Sequence, residues 1–325
     1  MKLSVVCCSK RAVPHFEWSI ESLNNQTHKD FEYIIVDGLY DKRKDEVLAL
    51  LKKANFPYTY VPDKPSLWTN IGPALSNARN TGFMIATGDQ IVFHDDDCRF
   101  DPDWLTKHCD WAEKGYAVAG TWISYQSMNP DGTFVEGIYG LEHRAKQYTQ
   151  PAECPGAWLY GANFSVPTDA MISVNGNDEL YCGEVGGEDC DFGIRINRIG
   201  CQTAFDPTCI VKFLANPGNA ASINRSDMTS MDLQTLLQKH PKERLLESGE
   251  THYSNEWLIQ LLIKQLTRYW TLGNAFQLSD LREHWNDAVK KNVSVEDFYE
   301  QLKLWQWPYD CDWRDCQPLS EMIVK

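Results

Sequence analysis

The chain has no run of apolar residues as long as the roughly 18 that a membrane-crossing helix needs. Met1 to Val6 also lacks the charged region followed by an apolar stretch that marks a secretory leader. The expectation is a soluble, cytoplasmic protein. Cysteine pairs at metal-ligand spacing are missing too: the eleven cysteines are odd in number, scattered, and never form Cys-x-x-Cys. They read as reduced thiols, which excludes a disulfide scaffold and a zinc ribbon. Cys311 and Cys316 lie in a tail with no histidine nearby. Positive charge is scarce, with 31 Lys and Arg against 45 Asp and Glu, a net charge of −14 and a pI near 5.0. Such a field repels phosphate backbones and anionic membranes at long range, so a nucleic-acid partner would need a local basic channel that the sequence does not clearly show. No internal repeat or low-complexity tract occurs. The sequons at Asn25, Asn163, Asn224 and Asn292 carry no weight without a secretory route.

What is present suits a folded α/β protein. Hydrophobic residues make up 43% of the chain and aromatics 12%, ample material for a core. The 325 residues exceed the usual limit of about 250 to 300 for one core, so a principal domain plus an extension is expected. Strands near Leu3 to Cys7, Glu32 to Val36, Tyr58 to Val61 and Gln90 to His94 alternate with helical patterns, the signature of a doubly wound sheet. Residues Asn129 to Pro155 form a long insertion rich in Gly, Pro and polar residues that holds Tyr139, His143, Arg144 and Tyr148. Irregular insertions of this length beside a sheet are usually functional or disordered, and this one is expected to be a loop on the substrate side. Leu214 to Asp227, with Asn216-Pro217-Gly218-Asn219, has the composition of a lid. After residue 228 the texture changes. Trp257, Leu258, Leu261, Leu262, Leu266 and Trp270 share a helical period, and helical patterns recur around Leu278 to Lys290 and Val295 to Trp305. With Lys264 and Arg268 too few to hold an anionic surface, the stripe is expected to pack on a neighbour rather than lie on a membrane. Core burial is likewise expected for Trp305, Trp307, Tyr309 and Trp313, with stacking on sugars or bases the alternative.

Two constellations carry chemistry. Ala78-Arg79-Asn80-Thr81-Gly82 belongs to a helix that leads into the strand Gln90 to His94, which ends in Asp95-Asp96-Asp97. Ligands of open α/β sheets bind outside the carboxyl ends of the strands. In an extended segment Asp95 and Asp97 point to one side, and two hard oxygen ligands suit Mg²⁺ or Mn²⁺ completed by water and substrate phosphate. A solvated acidic turn before the helix that starts near Pro102 is the plain alternative. A calcium loop fits poorly, because Arg99 and Phe100 stand where an EF-hand needs an oxygen ligand and a glycine. In the second constellation, Gly183-Glu184-Val185-Gly186-Gly187-Glu188-Asp189-Cys190-Asp191 precedes a helical pattern of Phe192, Ile196 and Ile199, with Arg195 and Arg198 late and Gly200 placed to end it. Glu188, Asp189 and Asp191 then lie at a helix N-terminus, whose free N–H groups favour an ionised carboxylate able to accept a proton. An ordinary acidic N-cap is the plain alternative.

Together these residues resemble family 2 glycosyltransferases. Ser4 to Arg11 is similar to their first strand and loop, and Tyr33 to Gly38 to their second strand with its nucleotide-binding aspartate. Ala78 to Asp97 resembles their arginine-asparagine helix and Asp-x-Asp strand end. Gly161 to Val166 and Gly186 to Asp191 resemble the acceptor-side strand and Glu-Asp motif of the β-1,4-galactosyltransferase group. The resemblance covers residues 1 to about 215 in the family's order. It implies a GT-A fold, a Rossmann-like doubly wound mixed α/β sheet, with a helical C-terminal extension. Residues 1–225 would be the transferase domain (1–100 the donor half, 101–225 the acceptor half) and 226–325 a helical module.

The implied activity is inverting transfer of a sugar from a nucleotide-sugar, expected to be a UDP-sugar, to a hydroxyl. Ser9, Arg11 and Asp37 would line base and ribose, with Arg79 close to the nucleotide and Asp96 also on the donor. Asp95 would touch ribose or metal, and Asp97 would be the principal ligand of Mn²⁺ or Mg²⁺. Asp189 would be the general base, with Glu188 and Asp191 orienting sugar hydroxyls and Gly186 and Gly187 allowing close approach of the acceptor. One departure stands out: Lys212 occupies the place where many relatives carry a histidine metal ligand. Protonated lysine cannot ligate a cation but can contact phosphate, which leaves metal dependence open: the ion is held by Asp97, water and phosphate alone, or Lys212 supplies part of the charge stabilisation itself, or Lys212 is a surface residue in a shifted alignment. The acceptor is left open among a glycan, a glycolipid head group, a protein and a hydroxymethylated base of phage-type DNA. A sugar nucleotidyltransferase would carry glycines where Cys7-Cys8-Ser9-Lys10-Arg11 has none. A non-catalytic nucleotide-sugar-binding protein would lack Asp97 or Asp189, and both are present.

Overall fold

The computed structural model describes residues 1–11, 14–65, 75–129, 132–135, 137–179, 187–215 and 277–305. Gly183 to Gly186, all but the first residues of the expected lid, the Trp257 to Trp270 stripe, the tail beyond Trp305, Cys182, Cys311 and Cys316 lie outside them.

The N-terminal half alternates β1 (Leu3–Ser9), α1 (Phe16–Asn24), β2 (Phe31–Asp37), α2 (Tyr40–Leu51), β3 (Tyr58–Val61), α3 (Leu75–Ile85) and β4 (Gln90–Asp95). There follow β5 (Arg99–Phe100), α4 (Trp104–Ala112), β6 (Ala117–Tyr125), β7 (Ile138–Leu141), α5 (His143–Gln147), β8 (Ala152–Glu153), a 3₁₀ turn (Gly156–Trp158), β9 (Asn163–Pro167), α6 (Thr168–Ser173), α7 (Glu188–Arg198) and β10 (Thr203–Leu214). Helices α8 (Leu278–Lys290) and α9 (Val295–Trp305) complete the described chain. One sheet runs in the order β3-β2-β1-β4-β9-β6-β10-β5, with β7 on β6 and β8 on β10. The strands β3, β2, β1 and β4 are mutually parallel, and β9 is antiparallel to both β4 and β6.

The period of two along a strand divides the core. Val5, Cys7, Tyr33, Ile35 and Val92 face a layer with Phe16, Ile20 and Leu105, while Val6, Ile34, Val36, Ile91 and Phe93 face the opposite one. A sheet covered on both faces explains the continuous apolar runs that stood for strands in the sequence. On the second face lies α3, in which every residue from Ser76 to Ile85 is buried. The helix is covered by α8, and α9 is tied to the chain after β3. Arg282 of α8 donates to the Phe83 carbonyl at 3.0 Å, and the Tyr299 hydroxyl of α9 donates to the Pro62 carbonyl at 2.9 Å. The enclosed groups answer one another. Lys64 Nζ donates to Asn77 Oδ1 at 2.6 Å and lies 2.7 Å from Glu179 Oε1, which also accepts from Asn80 Nδ2 at 2.8 Å.

One amide closes the middle of the sheet. The register of β10 against β6 slips between Asp206 and Ile210, which frees backbone carbonyls. Asn163 Nδ2 donates to two of them, Thr121 O at 3.0 Å and Cys209 O at 2.8 Å. Its Oδ1 accepts from Trp104 Nε1 at 3.0 Å and His108 Nε2 at 3.2 Å. Burial pushes the His108 ring down to about 4, so it stays neutral in this network. Asn163 is only 2% exposed, so its sequon is not available for modification in the folded chain.

The structure corrects several details. Ile199 is 47% exposed, off the apolar face that Phe192 and Ile196 share. The insertion 129–155 contains β7, α5 and β8, and Arg144 within it is fully enclosed. Among the described residues no helix is long and apolar enough to cross a membrane.

Replacing Asn163 with alanine strands two buried donors and two carbonyls. The expected loss is at least about 3 kcal/mol, seen as a lower urea midpoint with unchanged slope. A midpoint within error of wild type would show that the amide does not close the register slip.

Candidate active site

The parallel register lines up the ends of three strands. Ser9 of β1 pairs with Asp37 of β2, and Cys8 with Asp95 of β4, so the expected donor residues share one edge. Asp37 is completely buried and its carboxylate has several donors already. Arg43 grips it with Nε and Nη2, both at 2.6 Å, the Tyr60 hydroxyl donates at 2.8 Å, and the Leu39 N–H donates at 2.8 Å. Arg43 also reaches Ser9 Oγ at 2.9 Å and the Arg11 carbonyl at 2.6 Å. Arg43 is absent from the candidates read in the sequence. Only the meeting of β2 with the first turn of α2 selects it among the neighbouring cations Lys42, Arg43 and Lys44.

The acidic triplet turns a corner. The strand ends at Asp95 and a turn follows. Asp96 is 2% exposed, accepting from the Ser9 hydroxyl and from Arg11 Nε at 3.1 Å, while Arg11 Nη1 holds Asp97. Burial pushes the Asp96 carboxyl up to about 6, against the pull of Ser9 and Arg11, with the charges of Asp95 and Asp97 adding to the rise. Asp95 is also raised, by burial first and then by Asp97, against the pull of Arg11 and Arg79. Asp95 further senses Asp189, so the two constellations share one electrostatic site.

Arg79 links them. It is 2% exposed, with Nη1 donating to Glu188 Oε1 at 3.3 Å and its guanidinium 5.8 Å from the Phe164 ring. Gly161 leaves the room it needs: a Cβ there would lie 1.9 Å from Arg79 Nη2. The first residue of the motif within the described chain, Gly187, has φ 112° and ψ −28° as N-cap of α7, a backbone state that side chains disfavour. Asp189 accepts from the Gly161 N–H at 3.0 Å and the Cys190 N–H at 2.8 Å. The helix is pressed against the 3₁₀ turn where Gly193 and Gly156 meet backbone to backbone; a Cβ on Gly193 would lie 1.8 Å from the Gly156 carbonyl oxygen.

Two expected contacts take another form. Asp191 is completely buried and accepts from Arg195 Nε at 2.8 Å, so in this arrangement it braces α7 rather than facing an acceptor. Lys212, on β10 opposite Arg99 of β5, lies 2.5 Å from Asp101 Oδ1, so its ammonium is engaged by a carboxylate beyond the triplet. Gly186 lies outside the described residues.

Among the described residues no group of three His, Cys, Asp or Glu side chains is placed to hold a metal. Asp95 and Asp97 nevertheless offer two hard oxygen donors whose mutual repulsion raises Asp95, and a divalent cation would relieve that repulsion. The pair fits Mg²⁺ or Mn²⁺ held by two carboxylates, with water and a donor phosphate completing the shell.

A half-parallel sheet covered on both faces, with carboxylates at the β1–β2–β4 edge facing an acidic helix start, is the architecture of the GT-A glycosyltransferases. The mannosyltransferase PcManGT of Pyrobaculum calidifontis, solved with GDP-Man and Mn²⁺, superposes with a TM-score of 0.52 at 15% identity, covering 99% of this chain and 85% of that one. TarS of S. aureus does so with 0.51 at 15% identity, covering 82% and 44%. Residues 4–166 match the family model for glycosyl transferase family 2, and residues 90–287 match family group 2. The chain belongs to glycosyl transferase family 2. Among curated relatives, an uncharacterized glycosyltransferase of Rickettsia felis is 28% identical over 191 residues, 56% of this chain and 29% of that protein. A glucosyl-dolichyl phosphate glucuronosyltransferase of Haloferax volcanii is 27% identical over 187 residues, 55% of this chain and 56% of that protein. The aligned part thus spans 29% and 56% of the length of these two relatives.

The Asp96 carboxyl gives a pH test. Its folded value near 6 lies above the unfolded value of about 3.9, so between those pH values the folded state holds the extra proton. The contribution of Asp96 to stability then falls as pH rises from about 4 to about 6. In urea titrations in chelator across this window, the stability of wild type relative to Asp96→Asn should fall as pH rises. Identical slopes would contradict the assignment.

Proposed function

We propose that the chain is an inverting glycosyltransferase that moves a sugar from a nucleotide-sugar, a UDP-sugar in the first instance, to a hydroxyl acceptor. The observation that carries this is the convergence of Asp189 with Asp95 across Arg79: a proton acceptor on one side, and on the other the carboxylates suited to a diphosphate's cation. Ser9, Arg11 and Asp37 line the nucleoside end, with Arg43 holding Asp37 in place. Asp97, with Asp95, would hold a divalent cation, which would supply neutralisation of the departing diphosphate's charge. Asp189, fixed by two backbone N–H bonds, takes the acceptor hydroxyl's proton. The oxygen then bonds to the anomeric carbon as the bond to the diphosphate breaks and its electron pair leaves with phosphate. Inversion needs one base and no enzyme nucleophile, and Glu188, tied to Arg79, orients hydroxyls beside it.

The segment Gly186-Gly187-Glu188-Asp189 serves the acceptor side as in the β-1,4-galactosyltransferase group. Residues 1–225 form the transfer unit, and 226–325 a helical module whose α8 braces α3. Lys212, paired with Asp101, contributes charge near the strand edge rather than a metal bond. The acceptor is a glycan, a glycolipid head group, a protein or a hydroxymethylated base.

Nucleoside diphosphate release and thermal shift with UDP-, GDP- and dTDP-sugars, with and without Mn²⁺, test this directly. Asp189→Asn should lower turnover by about 10²- to 10⁴-fold while the donor still shifts the melting temperature. Asp97→Ala should abolish the Mn²⁺-dependent part of that shift. Full turnover in Asp189→Asn, or a shift indifferent to Asp97, would refute the assigned roles.

A further inference from the structure

Beside Asp189 stands an aromatic side chain to which no role has been given. Tyr160 closes the turn between the 3₁₀ turn and β9, and the next residue, Gly161, donates its N–H to Asp189. From the other side Cys190 Sγ donates to the Ala157 carbonyl at 3.3 Å, so residues 157 to 161 and the start of α7 are fastened together.

The ring is held from beneath by a buried cation. Arg144 is 1% exposed, and its guanidinium lies 4.2 Å from the Tyr160 centroid, 4.8 Å from Phe205 and 5.5 Å from Trp158. It donates to Glu142 Oε1 and to the Trp158 carbonyl, which fixes both ends of the guanidinium. A cation buried against three rings is costly unless paired, and Glu142, also 1% exposed, supplies the counter-charge. This arrangement leaves one face of the Tyr160 ring occupied and its orientation set.

The hydroxyl is what remains. Tyr160 is half-buried, and tyrosines with an enclosed ring usually give the phenol a partner. Here the phenol oxygen makes no hydrogen bond to a described residue, yet it is not among the sealed, unpartnered polar atoms. It therefore retains access from outside. Burial, with Cys190, Asp189 and Glu142 adding and Arg144 pulling the other way, pushes the phenol up to about 12, so it remains a neutral O–H donor.

We infer that Tyr160 binds the acceptor, donating its hydroxyl to an oxygen next to the one Asp189 deprotonates, so that the acceptor is a polyhydroxylated ring, a saccharide. A molecule offering a lone hydroxyl would satisfy Asp189 and leave the phenol unanswered. The inference rests on Asp189 acting as the base of the proposed transfer, and Arg144 acts through Tyr160 as a positioning residue.

The test uses nucleoside diphosphate release from the donor that gives the largest thermal shift. Methyl glucoside, galactoside, mannoside and N-acetylglucosaminide serve as saccharide acceptors, with N-acetylserine methyl ester as the lone-hydroxyl probe. A pyranoside is expected to stimulate release, and Tyr160→Phe should raise its KM about tenfold, the loss of one neutral hydrogen bond, with the donor KM unchanged. The deoxy analogue lacking the neighbouring hydroxyl should lose the same factor on wild type and nothing further on Tyr160→Phe, a coupling that a merely structural role would not produce. An unchanged acceptor KM in Tyr160→Phe overturns the inference. So does the serine ester matching the pyranosides, or the absence of stimulation by every pyranoside. Asp189→Asn run in parallel separates the layers: full turnover there removes the transfer mechanism itself, whereas normal dependence on Asp189 with silent Tyr160→Phe removes only the acceptor assignment.

Discussion

A guanidinium cannot be buried without answering charge, and Arg79 is the point on which the site depends. Enclosed in α3 against the sheet, it keeps its charge because Glu188, Asp189 and Asp95 surround it. The cost of taking an ion out of water is several kcal/mol and is offset only when the geometry is good. That requirement draws the start of α7, which follows in sequence more than a hundred residues later, against the end of β4. Gly161 makes room for the guanidinium and its N–H holds Asp189. One buried cation thereby sets the relation between the carboxylates at the end of β4 and those at the start of α7.

The same principle recurs at the other arginines of the site. Arg43 is clamped on Asp37, Arg11 spans Asp96 and Asp97, and Arg144 lies on Glu142 under Tyr160. A chain with net charge −14 concentrates carboxylates at one sheet edge, and these arginines hold them at close quarters. Asp95 and Asp96 are nevertheless raised, by burial first and by the neighbouring carboxylates after it.

Much of this was legible in the chain because it rests on local rules. Apolar runs ending in Asp37 and Asp95 marked strands of a buried parallel sheet, and the helical periods near Leu278 and Val295 correspond to α8 and α9. The acidic start of α7 followed from Gly187 and the carboxylates after it. Arg43 and Tyr160 were not legible. A cation in the first turn of a helix, or a tyrosine before a glycine, has no signature until the fold supplies its neighbours. Asp191 misled for the same reason: spacing places it at the helix start, but only packing turns it to Arg195 and closes it from solvent.

By itself the sequence determined the first four strands and the helices between them, the C-terminal helical patterns, and the family pattern of strand-end aspartates and the Glu-Asp helix, since these depend on periodicity and on residues near one another along the chain. Tertiary structure alone decided which charges meet. The pairing of Arg79 with Glu188, the slip of β10 answered by Asn163, and the seat of Tyr160 on Arg144 each join segments far apart in sequence. Such contacts are selected by the collective demand that every buried polar group find a partner, and no local pattern encodes that demand.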